Sequence, residues 1–396
     1  MSPIIDIEDL GLDAGAHLLI KHGLNRLAVG EALIVTGSAP GWEAQLAAWC
    51  RAQGHALSLA DGRARIVRSD VHAGRWRGAT ATGHADARQP DAVHEHPLPG
   101  YGLAARGATV EAGAPKYAFR LDRKQEVWAD NAAELYAQAV AAQWDADRAI
   151  DWNAPFELAD EVEDAVAQVM TYLIENENAA LVVPARFLGQ LHPHFREVQA
   201  VLAIQVADEA RHIDVFTRRL RLRGREPMLS TAGGQASLKT LLDEPDFSVT
   251  EFLLSVLGEG TFVSLLNFLH QHAPDPVTRQ IARLAAVDEG RHVAFGMSHL
   301  LRRLEYEPGL RNRLMHAVEA RNDALSATSG LNEEVFDALI LLAAGAFTPA
   351  AIASGYRRVQ ALITDMAEGR MNRLLRLGFD ETSAQRLASL HTRNFM

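Results

Sequence analysis

Two copies of one short motif, Asp-Glu-x-Arg-His, lie 80 residues apart in this chain of 396 residues. The first copy is Asp208–His212 and the second is Asp288–His292. On an α-helix, residues three positions apart project from the same face, so the glutamate and the histidine of each copy can hold one metal ion from one side. The two candidate pairs are Glu209 with His212, and Glu289 with His292.

A further glutamate lies about 30 residues upstream of each copy, Glu177 before the first and Glu259 before the second. Each is embedded in an apolar stripe at helical spacing. An unpaired carboxylate in a core costs free energy, and a metal cation can supply the missing partner. Glu175 is the alternative to Glu177, but at about 100° per residue it faces about 160° away. The apolar stripe therefore favours Glu177 as the ligand.

Four carboxylates balance the charge of two divalent cations. The oxygen-rich set, with one imidazole for each metal, favours iron or manganese over zinc. A metal-bound histidine normally donates its free N–H to a carboxylate, carbonyl or water, a role that Asp208 and Asp288 can fill. Arg211 and Arg291 could neutralise these aspartates, although helix-surface charge is the more ordinary role of such arginines. The alternative to a metal centre is a metal-free bundle stabilised by ion pairs.

The composition excludes several other classes of protein. Cys50 is the only cysteine, so an intrachain disulfide, a zinc site of several thiolates and a cysteine-ligated iron–sulfur cluster are excluded. The chain has 39 Lys+Arg against 50 Asp+Glu, a net charge of −11, which disfavours nucleic-acid and anionic-membrane partners. The first residues lack the basic and apolar regions of a signal peptide. We therefore expect a soluble, cytoplasmic protein.

The first 124 residues read as two segments. Residues 1–70 predict a small α+β domain, with a strand at Ala32–Thr36, a helix at Gly41–Gln53 and a hairpin about Asp61–Gly62. Residues 71–124 are rich in Gly, Pro and Ala and predict an irregular linker. A histidine-rich metal tract is the alternative there, but the irregular spacing favours a surface linker. The histidines concerned are His72, His84, His94 and His96.

Residues 125–396 show helical periodicity almost throughout, so the predicted fold class is mainly α: a four-helix bundle with extra C-terminal helices. Glu126–Ile150 predicts a lead-in helix, and Ala159–Leu188 a helix that Pro184 kinks or ends. Ser248–Glu251 matches a capping box and predicts the start of the third bundle helix. The other predicted helices span 193–223, 275–305, 310–328, 333–347, 351–377 and 381–392.

Residues 155–305 resemble the ferritin-like superfamily, in its branch of bacterial multicomponent monooxygenases and ribonucleotide reductases. Besides the two repeated motifs, Gly258–Phe262 is similar to the Gly-Glu-x-x-Phe of the hydroxylases, and Asn176–Ala180 to their first ligand segment. The resemblance implies a centre of two iron ions (with Mn/Fe as a variant) that activates O2. It also implies bridging roles for Glu209 and Glu289.

Two positions depart from that branch. Val263 stands where the hydroxylases have a threonine, which argues against a threonine-assisted O2 step. Phe216 stands where the radical-generating reductase subunits have a tyrosine, so a tyrosyl radical cannot form at that position. Apolar residues near the ligands indicate a small, partly apolar substrate: Val256, Phe262, Val263 and Phe295.

Residues 1–70 resemble the small TusA-like sulfur-carrier fold. Gly30–Val35 is similar to that family's Gly-Glu-x-Leu-x-Val strand, and Cys50–His55 to its Cys-x-x-x-Gly-His. The family's reactive cysteine is missing, because the corresponding region reads Gly11–Ala16. We therefore expect a degenerate domain that serves docking or folding and does not carry sulfur.

The function predicted from the sequence is a di-iron oxidase or oxygenase that hydroxylates, N-oxygenates or desaturates a small organic molecule with O2. Electrons must come from an external donor, because nothing in the sequence resembles a flavin, nicotinamide or iron–sulfur site. The alternatives are a ferroxidase-like protein and a structural metal-binding protein, neither with an organic substrate. A homodimer is compatible with this interpretation.

Overall fold

The computed structural model describes residues 2–70, 78–326 and 333–390. They form two compact units, one of Met1–Ala92 with Leu98–Tyr117 and one of Val93–Pro97 with Ala118–Met396. His72 lies outside the described residues. The predicted linker 71–124 is therefore divided between the two units, and its predicted boundaries stay predictions.

The first unit contains a four-stranded sheet in the order β1-β2-β4-β3, in which β1 runs parallel to β2 and the other pairs are antiparallel. The strands are β1 (Ile4–Asp6), β2 (Ala32–Thr36), β3 (Ala56–Ala60) and β4 (Arg63–Val67). The helices α1 (His17–Asn25) and α2 (Trp42–Gln53) complete the unit's core. The strand, the helix and the hairpin that the sequence predicts are all present.

The hairpin turn has a clear local cause. Asp61 and Gly62 both have positive φ, 51° and 68°, as the two central residues of a type I′ turn require. Cys50 lies in the core between sheet and helix, where burial raises the pKa of its thiol to about 11. A thiol with such a pKa is protonated at neutral pH and is a poor nucleophile. The likeness to a TusA-like fold stays a prediction.

Residues 78–117 contain little regular structure, namely a two-residue strand pair, β5 (Thr80–Ala81) with β6 (Thr109–Val110), and one 3-10 turn, Pro99–Tyr101. The buried Thr82 hydroxyl donates to the carbonyls of Ala105 and Ala108, which ties the segment together.

The second unit is helical, as the sequence predicts, and its mainly α fold class is confirmed. Its core contains four long helical stretches that pack in sequential pairs: α6 with α7, and α10 with α11. Their bounds are α6 (Asp160–Leu188), α7 (Arg196–Leu222), α9 (Phe247–Glu251) continuing through a π-helical segment (Phe252–Glu259) into α10 (Gly260–His272), and α11 (Pro276–Tyr306).

The remaining helices surround this bundle. Those before it are α3 (Lys124–Val127), α4 (Ala132–Ala141) and α5 (Ala146–Ala149); α8 (Ala232–Asp243) lies between its halves; and α12 (Leu310–Ser326), α13 (Glu333–Ala344), α14 (Pro349–Arg376) and α15 (Glu381–Ser389) follow it. The single lead-in helix predicted at Glu126–Ile150 is wrong, because the chain breaks twice there. Asp145 starts α5 as a new helix by accepting a hydrogen bond from the amide of Asp147.

The observed helix ends agree with the predicted bounds at some positions and not at others. Asp275 caps α11 by accepting from the amide of Thr278, with Pro276 at the first helical position. Gly224 follows α7 with φ of 64°, as a C′ glycine does. The capping box at Ser248 is wrong: Asp246 caps α9, and the Ser248 hydroxyl contacts His299 Nε2 at 2.9 Å. Pro184 does not end α6, which continues to Leu188.

One helix, Phe247–His272, is long and apolar enough to cross a membrane when judged by length and composition, with a mean hydropathy of 1.6. Most of that window (83%) is buried inside the protein. The bent pair α13–α14 passes the same test when it is taken as one span. Core helices of soluble proteins pass it too, so the finding is weak evidence for a membrane.

Candidate metal centre

The six predicted ligands come from all four long stretches of the bundle. Glu177 lies on α6, Glu209 and His212 on α7, Glu259 at the end of the π-helical segment, and Glu289 and His292 on α11. None of the six is more than 4% exposed. Carboxylates are almost never buried to this degree without a charged or hydrogen-bonded partner.

The π-helical segment Phe252–Glu259 brings Glu259 to the site. All eight residues of the segment are buried. Wider π turns are rare, and where they interrupt an α-helix they often mark functional sites. The sequence predicts an uninterrupted α-helix here, and helical periodicity carries no signal that separates the two forms.

The ligand atoms form two overlapping groups. In each group the atoms lie within 4.8 Å of one another, a spacing that allows one ion to contact all of them. Glu209 and Glu289 belong to both groups, which is the position of a carboxylate that bridges two ions. The first group is Glu177, Glu209, His212 and Glu289; the second is Glu209, Glu259, Glu289 and His292.

The distances show how the two groups share Glu209 and Glu289. His212 Nδ1 lies 3.2 Å from Glu209 Oε2 and 3.4 Å from Glu289 Oε1. His292 Nδ1 lies 3.0 Å from Glu209 Oε1 and 3.3 Å from Glu289 Oε2. Each glutamate therefore turns one oxygen to each histidine. Glu177 Oε1 lies 3.5 Å from His212 Nδ1 and completes the first group.

Glu177, and not Glu175, joins the ligand groups. Glu177 is 1% exposed, whereas Glu175 is half-buried on another side of α6. Burial raises the pKa of Glu175, and hydrogen bonds with Ser230 and Gln235 act against that rise.

The aspartates of the two motifs contact the histidines crosswise. His212 Nε2 lies 3.2 Å from Asp288 Oδ2, and His292 Nε2 lies 3.4 Å from Asp208 Oδ2. Each aspartate therefore faces the histidine of the other motif. With Nε2 directed at an aspartate, Nδ1 is left to face the ligand groups. The crossing links α7 to α11 and could not be read from either motif alone.

The arginines of the motifs contact these aspartates. Arg211 Nη2 lies 2.6 Å from Asp208 Oδ1 and 2.8 Å from Asp288 Oδ2. Arg291 pairs with Asp288 and lies 4.0 Å from Asp208 Oδ2. Each arginine therefore reaches the aspartates of both motifs.

Three residues that the sequence analysis missed complete the polar surroundings. Gln143 Nε2 donates to Asp208 Oδ1 at 2.7 Å, and Trp144 Nε1 donates to Asp288 Oδ2 at 2.8 Å. The Trp144 ring also stacks on the His212 ring, with centroids 6.4 Å apart. Gln205 Nε2 donates to Glu259 Oε1 at 2.8 Å. Gln205 lies one helical turn before Glu209, a spacing that could have drawn attention to it.

The site fits two cations because one oxygen of each of its four glutamates is left without a hydrogen bond. Among the described residues, one carboxylate oxygen of each glutamate is buried and accepts no hydrogen bond: Glu177 Oε1, Glu209 Oε1, Glu259 Oε2 and Glu289 Oε1. Buried polar atoms of this kind are rare, and a binding site for an ion is one recognised cause. The donor set of oxygen and imidazole suits iron or manganese.

The pKa values of several ligands are shifted when no metal is bound. Burial and the charges of neighbouring glutamates raise the pKa of Glu177 and of Glu259 well above the ordinary value. Burial acts to lower the pKa of His212 and of His292. The carboxylates that face the two rings act more strongly and raise both pKa values well above the ordinary value of histidine.

The pKa of Glu209 is shifted in the opposite direction from those of Glu177 and Glu259. Burial acts to raise its pKa, but the charge of His292 and hydrogen bonds from its neighbours lower it overall. Glu177, Glu259, His212 and His292, whose pKa values are raised, hold their protons to a higher pH than usual. Metal ions must displace such protons in order to bind.

A small apolar cavity opens onto three of the ligands, Glu177, Glu259 and Glu289. Its volume is about 20 Å³, enough for one molecule the size of water. Its apolar lining comes from α6, α8 and the third stretch: Ala179, Ala180, Leu238, Leu241, Leu254 and Phe262. Two of these side chains belong to α8, a helix that the sequence analysis missed.

Of the apolar residues predicted near the site, Phe262 lines this cavity, whereas Val256, Val263 and Phe295 are not among its described lining. Val256 and Phe295 are fully buried core residues. Phe216 is also fully buried, with its ring 6.4 Å from the His212 ring. The nearby Thr261 hydroxyl donates to the carbonyl of Leu257, so it is occupied within its own helix.

Comparisons with known proteins yield structural neighbours only. No protein-family model matches the chain, and no curated protein matches it. One similar structure is a Synechococcus protein with aldehyde deformylating oxidase activity: it is 18% identical, the match covers 58% of this chain and 96% of that one, and the TM-score is 0.43.

Two further neighbours are R2-like ligand-binding oxidases. The one from Sulfolobus acidocaldarius is 16% identical, with 60% of this chain and 90% of that chain covered and a TM-score of 0.42. Another, with an aerobically reconstituted Mn/Fe cofactor, is 15% identical, with 66% and 93% covered and a TM-score of 0.41. At these TM-scores the similarities carry no inference about the chemistry of this chain.

Proposed function

We propose that this protein is a non-haem di-iron oxidoreductase that uses O2 to oxidise a small, partly apolar molecule. The observation that carries the proposal is the pair of overlapping ligand groups, which share Glu209 and Glu289. Glu177 and His212 would help to hold one metal ion, and Glu259 and His292 the other. A reduced pair of iron ions bound there would supply the electrons that activate O2; Mn/Fe is a variant of the same centre.

The residues around the ligands hold the centre in place. Asp288 and Asp208 accept from the Nε2 atoms of the two histidines and thereby fix the imidazole rings. Arg211 and Arg291 neutralise these aspartates, and Gln205 holds one oxygen of Glu259. The protein scaffold therefore preorganises the ligands, so that the cations need not order them on binding.

The apolar cavity supports access of O2 to the centre. It reaches Glu177, Glu259 and Glu289 and has room for a molecule the size of water. A larger substrate requires Leu238 and Leu241 of α8 to move aside. Hydroxylation, N-oxygenation and desaturation are all compatible with such a site, and the electrons for repeated turnover come from an external donor.

The small size of the cavity favours one alternative, a ferroxidase-like protein without an organic substrate. Anaerobic loading with Fe(II), followed by O2 uptake measured with and without reductant, tests the proposal. We expect two Fe(II) per chain to be oxidised rapidly, and continued O2 uptake when reductant and a small apolar substrate are supplied. Uptake that ends after one round under all conditions would favour the ferroxidase, and absence of rapid uptake would contradict both.

A further inference from the structure

Three arginines of the C-terminal helices cluster beside the third bundle stretch. They are Arg321 on α12, and Arg370 and Arg373 on α14. Arg370 is 4% exposed. Its Nη2 donates to Thr261 Oγ1 at 3.3 Å, and Arg321 Nη2 donates to Ser237 Oγ at 2.8 Å. Both of these acceptors are uncharged hydroxyls.

Arg373 is packed tightly against the helix that follows Glu259. A Cβ atom at Gly260 would lie 2.5 Å from Arg373 Cζ, so only glycine fits there without a shift of the guanidinium. In the part of the chain that the structure describes, the buried Nε and Nη2 atoms of Arg373 have no hydrogen-bond partner. In the same part, neither Arg321 nor Arg373 forms an ion pair with a carboxylate.

Burial and neighbouring positive charges disfavour the charged form of these arginines. Burial, together with the charges of Arg373 and Arg321, lowers the pKa of Arg370 to about 9. Burial also lowers the pKa of Arg321 and of Arg373 to about 10, although the charge of Asp365 acts against this at Arg373. Charges of one sign that are buried together cost free energy, and an anion placed among them offsets that cost.

Arg219 shows how this same protein accommodates a buried arginine that serves structure. It is fully buried, and its guanidinium lies 2.6 Å from Glu163 Oε1 and 2.9 Å from Asp275 Oδ2. The Thr278 hydroxyl accepts a further hydrogen bond from it at 3.0 Å. The C-terminal cluster differs because Arg321 contacts the neutral Ser237 hydroxyl and two guanidinium nitrogens of Arg373 have no hydrogen-bond partner among the described residues.

Two of the arginines line a cavity. Arg321 and Arg370 face a space of about 30 Å³ that Asn322 also lines. Its remaining lining is apolar and includes Leu253, Leu257, Leu325 and Leu387. A larger open groove of about 290 Å³ shares Leu253 and Arg321 with it. Asp243 and Glu244 also line that groove. The inner cavity has room for a small head group, and the groove for the rest of a ligand.

We propose that this arginine-lined pocket binds a small organic oxyanion with an apolar chain, either a carboxylate or a phosphate monoester. The guanidinium groups of Arg321 and Arg370 hold the head group, since arginine matches planar and tetrahedral oxyanions with paired N–H donors. The leucines contact the chain. This site is separate from the metal ligands, and the proposal does not rest on the proposed oxidase function.

Isothermal titration calorimetry of the full-length protein with four six-carbon probes tests the proposal. We expect hexanoate or hexyl phosphate to bind at least tenfold more tightly than hexan-1-ol and hexylammonium. Preference for one of the two anions identifies the head group. Equal affinities for the anions and the alcohol, or a preference for hexylammonium at the acidic rim, would overturn the proposal.

Matched variants locate the binding. Arg321→Met is expected to weaken binding of the preferred anion at least tenfold and to raise the melting temperature of the unliganded protein, because it removes an uncompensated buried charge. Arg321→Lys keeps the charge but loses the planar donor pair, and should also bind at least tenfold more weakly. Arg357→Met, at an exposed position of α14, should change neither property. Unchanged affinity in both Arg321 variants, or a lowered melting temperature in Arg321→Met, would show that the arginine is structural.

Discussion

At the scale of single residues, we expect the two glutamates shared by the ligand groups, Glu209 and Glu289, to determine how many metal ions the site holds. Glu209→Ala removes an oxygen from both ligand groups at once. We expect the metal content to fall from two ions per chain to one or none, as measured by elemental analysis of protein loaded anaerobically with Fe(II). Glu175→Ala on α6 is the control and should keep two. Two ions per chain in Glu209→Ala would contradict the bridging role.

The crossed aspartates are expected to set metal affinity. Asp288→Asn removes the negative charge that faces His212 Nε2 at 3.2 Å while nearly keeping the side-chain shape. Loss of such a partner typically weakens metal binding by about 10–100-fold. Competition with a chelator measures the change, and Asp214→Asn, at an exposed position of α7, should leave affinity unaltered. Equal affinity in the two variants would leave Asp288 without a role at the centre.

The ligands themselves could be predicted from the sequence because they repeat: two Asp-Glu-x-Arg-His copies and two glutamates in apolar stripes. Gln143 and Trp144 could not, because they belong to no motif and reach the aspartates from a break between helices that periodicity did not predict. The crossing of Asp208 and Asp288 depends on how α7 and α11 face each other. Helical spacing within one motif contains no information on that.

At the scale of helices, α11 packs closely against the π-helical segment, and this contact fixes the position of Glu289 and His292 relative to Glu259. A Cβ atom at Gly296 would lie 2.7 Å from Ser255 Cβ. Gly296→Ala should therefore destabilise the fold by roughly 1–3 kcal/mol, as overpacking does. Urea unfolding measures this change.

Gly290, in the second motif, is the matched control for Gly296. It is an exposed helical glycine whose added Cβ would meet nothing within 4 Å. Gly290→Ala should stabilise the helix by roughly 0.5–1 kcal/mol. Equal effects of the two substitutions would contradict the tight contact between α11 and the π-helical segment.

Sequence patterns predicted most of the long helices but not their irregularities. The π-helical segment has the same apolar composition as an α-helix, so periodicity could not distinguish it. The capping box at Ser248 failed because a competing cap, Asp246, lies two residues earlier and the serine hydroxyl contacts His299. Helix α8, which covers the cavity, is short and contains two glycines, Gly233 and Gly234, which weaken its helical signal.

At the scale of the whole molecule, bound metal should stabilise the fold, and more strongly as the pH rises. The pKa values of Glu177 and Glu259 are higher in the folded protein than in the unfolded chain. In the metal-free protein these two groups therefore stabilise the fold at a pH below their unfolded pKa of about 4.5. This stabilisation is lost as the pH rises toward the folded pKa values. His212 and His292 act in the same direction, from about 6.5 upward. Metal ions replace these protons and remove the loss.

Thermal unfolding with and without Fe(II) under anaerobic conditions measures this linkage. The metal should add about 2.7 kcal/mol when its free concentration is 100 times the dissociation constant. The difference in melting temperature between loaded and chelator-treated protein should widen between pH 5.5 and pH 8. A difference that narrows with rising pH would contradict the assignment of protons to Glu177, Glu259 and the two histidines.

The central claim is that one buried site holds two metal ions bridged by Glu209 and Glu289. Anomalous X-ray diffraction at the iron and manganese edges, from crystals of metal-loaded protein, tests it most directly. We expect two peaks about 3.5–4 Å apart, as in two-metal sites generally, one beside His212 and one beside His292. A single peak, or two peaks without Glu209 and Glu289 between them, would contradict the claim.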